Sequence, residues 1–467
     1  MNPLESIPLA PGALPVLGHA VPLLRDPLSF LKPLHRYGDV LRVRLGPATA
    51  VAVCDPELTR RLLLEDDLFD KGGPIYDSAR RAGGDSVLTC PYSRHRRQRR
   101  LVKPAFNPRR LPAYAEAMVA EINAVVSPWQ DNHILDVSAE MYTLTSRILA
   151  ATMFSDALPA PVQEQALADV ATLLNGVYLQ MVMPPPMDRL PIPANRRFRE
   201  ARSRLRGILE GVIAERRSTG ADHGDLLSAL LAVPEEDSDE RGLSDVEIID
   251  QVMTFFGAGT ESTANTLTWA LYLLAEHPEI ERQVHAEVDD VLRGQPPVHA
   301  DLRRLPVLNR VLTETLRLYP PGVVLTRVVT EDTDLGGYRL PAGTNVFYSP
   351  HLFHHRSDLY PHGDRFDPDR WLSDPAQTVA RHNYVPFGFG ARRCIGEQFA
   401  LTEAMLALAI ITARWTLRPL PGQNVQPALA ATLRPRRLRM RVIAREVMAA
   451  SGERPHDGPV VTDPQPA

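Results

Sequence analysis

The sequence predicts a mainly α-helical fold with small β-sheets around one long central helix, and three observations carry that prediction. An apolar helical pattern runs unbroken from Ser244 to His277-Pro278, about 32 residues or roughly 48 Å at 1.5 Å per residue. Residues 111–232 carry successive amphipathic helical patterns. Strand-like runs are confined to two short stretches, 40–53 and 323–349. With 44% hydrophobic and 23% charged residues, the 467-residue chain has ample material for a core. Residues 1–450 read as one domain, followed by a disordered tail at 451–467.

Taken in chain order, the opening 35 residues read as proline-punctuated coil. Val40 to Leu45 and Thr49 to Val53 flank Gly46-Pro47 as a hairpin. Helical patterns follow at 55–64 and 94–102, and the Gly-rich stretch from Asp70 to Leu88 between them reads as a functional loop. Prolines at 184–186, 191 and 193 break the helical region, and an acidic stretch at 234–242 forms a solvated link. Ser244 and Glu247 form a capping box that starts the long helix. In its middle, Gly257 and Gly259 each cost about 1 kcal/mol, so something is gained there by having no side chain. Gly336-Gly337 reads as a turn within the second strand region, residues 364–393 as irregular, and residues 397–412 as a final amphipathic helix.

The charge balance, 52 Lys+Arg against 56 Asp+Glu, gives a net charge of −4 and argues against nucleic acid as a partner. Only Lys32, Lys71 and Lys103 are lysines, a bias that with the 43 prolines speaks of codon usage rather than function. Three cysteines, Cys54, Cys90 and Cys394, with no CxxC pair, argue against a disulfide framework or structural zinc. The N-terminus has no basic segment followed by an apolar run, so neither a signal peptide nor a membrane anchor is expected, and a soluble cytoplasmic protein is.

Cys394 carries the chemistry. It closes the run Pro386-Phe387-Gly388-Phe389-Gly390-Ala391-Arg392-Arg393-Cys394-Ile395-Gly396 and directly precedes a helix, whose dipole and free amides favour a thiolate. Gly388 and Gly390 permit a tight loop, and Gly396 leaves room for a flat ligand against the backbone. A soft anionic sulfur in a dry loop suits iron, and Arg392 stands ready for a carboxylate on the same ligand. The plainer alternative is a Gly-rich turn around a buried free thiol.

Phe387-x-x-Gly390-x-Arg392-x-Cys394-x-Gly396 resembles the haem-thiolate signature of the cytochrome P450 family. Three further elements resemble the family in order and spacing. Glu314-Thr315-Leu316-Arg317, taken alone a surface ion pair, resembles its Glu-x-x-Arg element, and Arg370 in Phe366-Asp367-Pro368-Asp369-Arg370-Trp371 would close a structural triad with Glu314 and Arg317. The charge run from His95 to Arg100, otherwise a solvated helix face, resembles the segment that holds the haem propionates. The resemblance makes His95, Arg99, Arg327 and Arg392 propionate partners, and it leaves Arg94, Arg96, Arg97 and Arg100 as a basic docking patch for an acidic electron donor. Ala258-Gly259-Thr260-Glu261-Ser262 resembles the element over the haem. Gly259 would leave room for dioxygen and substrate, and Glu261 and Ser262 would relay protons, with Thr263 a substitute where the family has threonine at the Ser262 position.

The resemblance implies the family fold, with the long helix over haem b (iron protoporphyrin IX) and Cys394 as the iron ligand. The implied reaction inserts one atom of O₂ into a C–H bond of a lipophilic small molecule. About 55 residues follow position 412, too few for a flavin domain, so electrons would come from NAD(P)H through a separate ferredoxin and ferredoxin reductase. The substrate pocket would draw on residues 70–88, 181–193, 255–259, 323–325 and 430–433, which are mostly apolar. Among family members the chain looks similar to bacterial secondary-metabolism enzymes, with a terpenoid, in particular a sesquiterpene, as the first reading and a polyketide or fatty acid as the alternative. A non-catalytic haem sensor predicts loss of the relay pair, and a peroxygenase predicts an arginine in its place; Glu261 and Ser262 stand against both.

Overall fold

The computed structural model describes residues 3–155, 160–182, 190–232, 242–372 and 383–446. The expected tail at 451–467, nearly all of the acidic link and much of the proline-rich break lie outside them.

The first strand region folds as read. β1 (Val40–Leu45) and β2 (Ala48–Val53) pair antiparallel with Val40 opposite Val53 and Leu45 opposite Ala48. With β3 (Phe69–Asp70), β5 (Leu325–Val329) and β8 (Asn345–Tyr348) they form a sheet of order β1-β2-β8-β5-β3. This register brings Arg327 of β5 and Asp70 of β3 to one edge, although 257 positions apart in the chain. β6 (Thr333–Leu335) and β7 (Tyr338–Leu340) form the second predicted hairpin across Gly336-Gly337. Val40, Val43, Val51, Val53, Val329 and Val346 seal the sheet core with at most 2% exposure.

Two stretches expected to be irregular contain helices. In the N-terminal 35 residues, α1 (Ala20–Arg25) and α2 (Pro27–Leu31) form. Asp26 caps α2 by accepting from the Ser29 amide at 3.1 Å, and Pro27 in the first turn has no amide to satisfy. α3 (Pro56–Leu64) and α5 (Tyr92–Val102) match the two helical patterns, but the expected loop at 70–88 holds α4 (Pro74–Gly83) between them. Gly84 ends α4 at φ 89°, where a Cβ would fall 2.1 Å from the Asp250 carboxyl carbon. That carboxylate accepts from the Asp85 amide at 2.8 Å and from Arg206 at 2.6 Å, tying the end of α4 to the long helix.

α6 (Leu111–Val126), α7 (Val137–Phe154), α8 (Ala160–Val182), α9 (Pro193–Thr219) and α10 (Leu226–Leu231) follow as the predicted helical series, with an unforeseen short strand, β4 (Ile134–Asp136), before α7. α11 (Asp245–Glu276) is the long helix, and both capping-box bonds are made: the Glu247 amide donates to Ser244 Oγ at 3.3 Å and the Ser244 amide to Glu247 Oε2 at 2.9 Å. From Ile248 to Leu271 every residue is buried except Gly257, Ala258, Gly259, Glu261 and Ser262. A gap of that kind in the middle of a buried helix marks an internal space.

α12 (Pro278–Leu292), α13 (Pro306–Leu318) and α14 (Pro350–His354) precede the irregular region, in which 3₁₀ turns form at Pro368–Trp371 and Gly390–Arg392. α15 (Glu397–Arg414) is not amphipathic: Thr402 through Thr412 are all buried. The run Ala404-Met405-Leu406-Ala407-Leu408-Ala409-Ile410-Ile411 is apolar all round, and α6, α11, α12 and α13 pack on it from several sides. A three-stranded sheet of β4, β12 (Arg439–Ala444) and β9 (Trp415–Pro419) and the hairpin of β10 (Pro427–Leu429) with β11 (Leu433–Pro435) complete the fold. No helix among the described residues is long and apolar enough to cross a membrane.

Candidate active site

The gap in α11 opens on a cavity of about 390 Å³, bounded by Thr254, Phe255, Ala258, Gly259, Ser262 and Thr263 of α11, by residues 386–396, by the start of α15 and by β5. Cys394 is the cysteine that lines it; Cys54 and Cys90 are buried elsewhere. The accessible surface of Cys394 is the part that faces this cavity, and protein surrounds the sulfur on its other sides. Its amide donates to the Phe387 carbonyl at 2.9 Å, and Gly390 (φ 69°) lies where a Cβ would come within 2.5 Å of the Leu63 carbonyl, so α3 seats the loop closely. Without a metal ion, two effects oppose each other at this helix start. Burial pushes the thiol above its ordinary range, and the opposing hydrogen bond from the Gly396 amide is the smaller effect. A metal ion at the sulfur would reverse that balance.

One end of the cavity is cationic. Lys71, Arg99, Arg327 and Arg392 line it. Arg392 is held by Asp66 at 3.2 Å, Asp70 at 2.7 Å and the Cys90 carbonyl at 2.9 Å. Two carboxylates thus brace the guanidinium where it lines the cavity. Arg99 donates to the Arg393 carbonyl and Arg327 to the Thr326 carbonyl, and Arg327 Nε is buried with no partner among the described residues. Lys71, which the sequence reading passed over, donates to the Leu88 carbonyl at 3.2 Å. Burial, then Arg327 and Arg392, bring its ammonium down to about 7. His95 is buried within reach of all four charges but does not line the cavity. Burial first, and then those cations, lower it to about 3 and keep it neutral. Of the expected docking patch, Arg97 is bonded to Glu247 at 2.7 Å and to the Gly242 carbonyl at 2.8 Å, and Arg94 pairs with Asp85, so at least these two of its charges are already matched.

Glu314, Arg317 and Arg370 meet in the buried region that leads to the cysteine loop. Glu314 accepts from Arg317 at 2.8 Å through both oxygens, from Arg370 Nε at 2.9 Å, from the Asp367 amide at 3.0 Å and from Trp371 Nε1 at 3.0 Å. His354 joins this cluster to the loop: Nδ1 lies 3.1 Å from the Arg317 carbonyl and Nε2 accepts from the Val385 amide at 3.1 Å, one residue before the loop begins. That pair of bonds requires a neutral ring, and burial lowers its pKa to about 3. Above the ordinary histidine pKa of about 6.5 the ring is neutral folded or unfolded and contributes no pH dependence. As pH falls below it, only the unfolded chain takes up the proton, so unfolding gains roughly 2 kcal/mol from this group by about pH 5. A fall in denaturant midpoint between about pH 7 and 5 that shrinks in His354→Asn is the expected result.

On α11, Ser262 Oγ donates to the Ala258 carbonyl at 2.7 Å, so its hydroxyl is turned back onto its own helix. Thr263 Oγ1 is buried, borders the cavity and has no partner among the described residues. Glu261 does not line the cavity; it accepts from Thr432 at 2.8 Å, across the chain from the turn between β10 and β11. Phe387, Gly259 and Gly396 border the cavity. Its apolar walls come from Val87, Leu88, Phe255, Ala258 and Leu325, with Phe106 and Leu149 added by the fold.

A thiol facing an apolar cavity, opposed by a gap in a buried helix and edged by more cations than carboxylates, fits a flat iron macrocycle bearing acidic groups. The orphaned Arg327 Nε and the depressed Lys71 are what such groups would satisfy. The site and fold define a haem-thiolate protein. The family model for Cytochrome P450 matches residues 8–440, and the chain belongs to that family. It is 45% identical to pentalenene oxygenase of Streptomyces avermitilis, over 93% of this chain and 97% of that protein. It is 43% identical to cyclooctatin synthase of Streptomyces melanosporofaciens, over 92% and 94% respectively. The crystal structure of the cytochrome P450DA haem domain superposes with a TM-score of 0.85 at 30% identity, covering 94% of this chain and 98% of that one. The protein is therefore a P450 monooxygenase, an oxidoreductase that uses haem, O₂ and electrons from a reductant.

Proposed function

We propose that the protein oxygenates a cyclic terpene in bacterial secondary metabolism, in the cytoplasm, with haem b held by Cys394 and electrons passed from NAD(P)H through a ferredoxin and its reductase. The observation that carries the substrate class is the cavity wall of Val87, Leu88, Phe106, Leu149, Phe255, Ala258 and Leu325, apolar and closely packed, which suits a compact hydrocarbon. Relatives named for pentalenene and cyclooctatin chemistry support the same reading. The reaction balances as a C–H bond plus O₂, two electrons and two protons giving a C–OH and water.

Bound haem supplies the iron at which dioxygen is activated, and the thiolate ligand favours O–O cleavage. The chain supplies the rest. Lys71, Arg99 and Arg327, with Arg392 braced by its two aspartates, would hold the acidic edge of the macrocycle, and Glu314, Arg317 and Arg370 would fix the loop that presents Cys394. Gly259 keeps the helix wall low beside the cavity, where a side chain would take up space. Glu261 holds a proton source at the margin of the cavity, and Ser262 and Thr263 carry hydroxyls to its wall. Of these two, Thr263 has the hydroxyl free to turn inward.

Optical titration of the ferric holoprotein tests the substrate class, because a ligand that displaces iron-bound water shifts the spin state. A saturable high-spin shift with pentalenene or another cyclic sesquiterpene is expected; a shift with fatty acids or polyketide lactones alone would replace the terpene by those classes. For the relay, Glu261→Gln is expected to lower coupled product formation on the order of 10²-fold with haem retained, Thr263→Val nearly as far and Ser262→Ala least. Full peroxide-driven turnover in all three would favour a peroxygenase.

A further inference from the structure

The acid expected to feed protons to the cavity does not itself reach it. Glu261 is not part of the wall, and the group that joins it to the wall comes from 171 positions further along the chain. Thr432 Oγ1 donates to Glu261 Oε1 at 2.8 Å and accepts from Asn265 Nδ2 at 2.7 Å. Thr432 also borders the cavity, whereas Glu261 does not. Asn265 lies one helical turn along α11 from Glu261, so the same helix supplies both the carboxylate and the amide that orients the hydroxyl pointing at it. An amide that donates to the Thr432 oxygen leaves that hydroxyl's proton for the carboxylate, which fixes the direction of the chain Asn265 to Thr432 to Glu261.

The turn carrying Thr432 is itself anchored. The Leu433 amide donates to the Pro321 carbonyl at 3.1 Å, and Trp269 Nε1 donates to the Leu433 carbonyl at 3.2 Å. Ala430 and Thr432 close the turn through a backbone bond of 3.1 Å. The hydroxyl is therefore presented from a braced position rather than from a free loop. Tyr142 of α7 feels the same carboxylate: its hydroxyl is pushed well up by burial and then by the charge of Glu261.

We propose that Thr432 is a positioning residue for oxygen activation: clamped by Asn265, its hydroxyl holds the Glu261 carboxylate at the margin of the cavity, on the same turn of α11 that carries the Ser262 and Thr263 hydroxyls. The inference rests on the reading of Glu261 as the relay acid. It makes the β10–β11 turn, whose other role is to form the cavity wall, part of the proton-delivery geometry as well. A substrate pressing on the turn would then act on proton delivery through one hydrogen bond.

The test uses the haem-loaded enzyme supplied with electrons by a ferredoxin and its reductase, in air, with pentalenene as the probe and without it. Reductant oxidation is followed in H₂O and in D₂O. Thr432→Val is expected to slow it about fivefold, the size of one lost hydrogen bond, and to raise the solvent isotope effect, with the ferrous–carbon monoxide band unmoved. Thr432→Ser recovers most of the rate, and Thr432→Val combined with Glu261→Gln is no slower than Glu261→Gln alone, because both remove the same link. The proposal falls if Thr432→Val matches the parent, if Thr432→Ser is as slow as Thr432→Val, or if the two losses multiply. Should Glu261→Gln leave the rate and isotope effect unchanged, the acid assignment fails and the proposal with it. A flat Thr432 series beside a slowed Glu261→Gln overturns the positioning role alone.

Discussion

Replacing Cys394 by serine is expected to reduce monooxygenation to below about a thousandth of the parent rate, the scale on which loss of a central catalytic group is felt, while the fold survives. The fold survives because the sulfur faces the cavity rather than packed neighbours, and because the loop is held by its backbone: the Cys394 amide to the Phe387 carbonyl, and the Gly390 approach to Leu63. Function does not survive because the other two thiols cannot stand in. Cys54 is buried in the sheet core with its thiol driven up to about 12, and Cys90 is buried beside Arg392 with its thiol raised mainly by desolvation. Neither borders the cavity. The ferrous–carbon monoxide difference band reports the ligand directly, since thiolate ligation gives the red-shifted band and a serine oxygen does not. A thiolate-type band persisting in Cys394→Ser would show that the iron is held elsewhere and would remove the assignment of the whole loop.

How much of this was legible in the sequence depends on the distance over which each feature is built. The capping box at Ser244 and Glu247, the turn at Gly336-Gly337 and the loop around Cys394 are set by residues within a few positions of one another, so spacing alone exposes them. Lys71 gave no such signal. It reaches the cavity because β3 pairs with β5, and that pairing joins Asp70 to Val328 across the chain. Asp66 and Asp70 likewise meet Arg392 across 326 and 322 positions, and local patterns cannot foresee that the arginine's charge is already answered. α4 was hidden for a different reason. Gly72-Gly73 and Gly83-Gly84 bracket it and read as loop, yet Pro74 is placed for a first helical turn and Gly84 for a last. The Glu261–Thr432 bond spans 171 positions and involves a turn with no pattern of its own. The family resemblance points to Cys394 and Glu261, and no local pattern points to Thr432.

Truncating Arg317 to alanine is the second large effect, and it acts on stability before chemistry. Arg317 and Glu314 are both wholly buried. The guanidinium makes both of its contacts to Glu314 and also donates to the backbone carbonyls of His354, Gly363 and Arg365, with its face 5.2 Å from the Tyr360 ring. Removing it leaves a carboxylate without its main countercharge and the His354 and Gly363 carbonyls without that donor, while the Arg365 carbonyl keeps only the longer bond from Arg370. Breaking a buried pair from one side costs about 3–5 kcal/mol, enough to exhaust much of the 5–15 kcal/mol typical of a folded domain. Arg317→Lys is expected to recover little, because one ammonium has three donors on a flexible stem where five directions are in use. Glu314→Gln should cost less than Arg317→Ala, since the amide keeps an acceptor for Arg370 or Trp371 and leaves no bare anion. The consequence for function follows from where those carbonyls lie. Residues 354 to 371 form the approach to the cysteine loop, and His354 fixes Val385 at its entrance. Loosening Arg317 is therefore expected to loosen the entrance of the cysteine loop through His354. Urea midpoints and bound haem per chain should fall together in Arg317→Ala, with the carbon monoxide band shifting toward the thiol position in whatever protein remains folded. A variant with an unchanged midpoint and an intact thiolate band would mean that the segment is held by its other contacts, and that the buried triad is an accompaniment of the loop rather than its support.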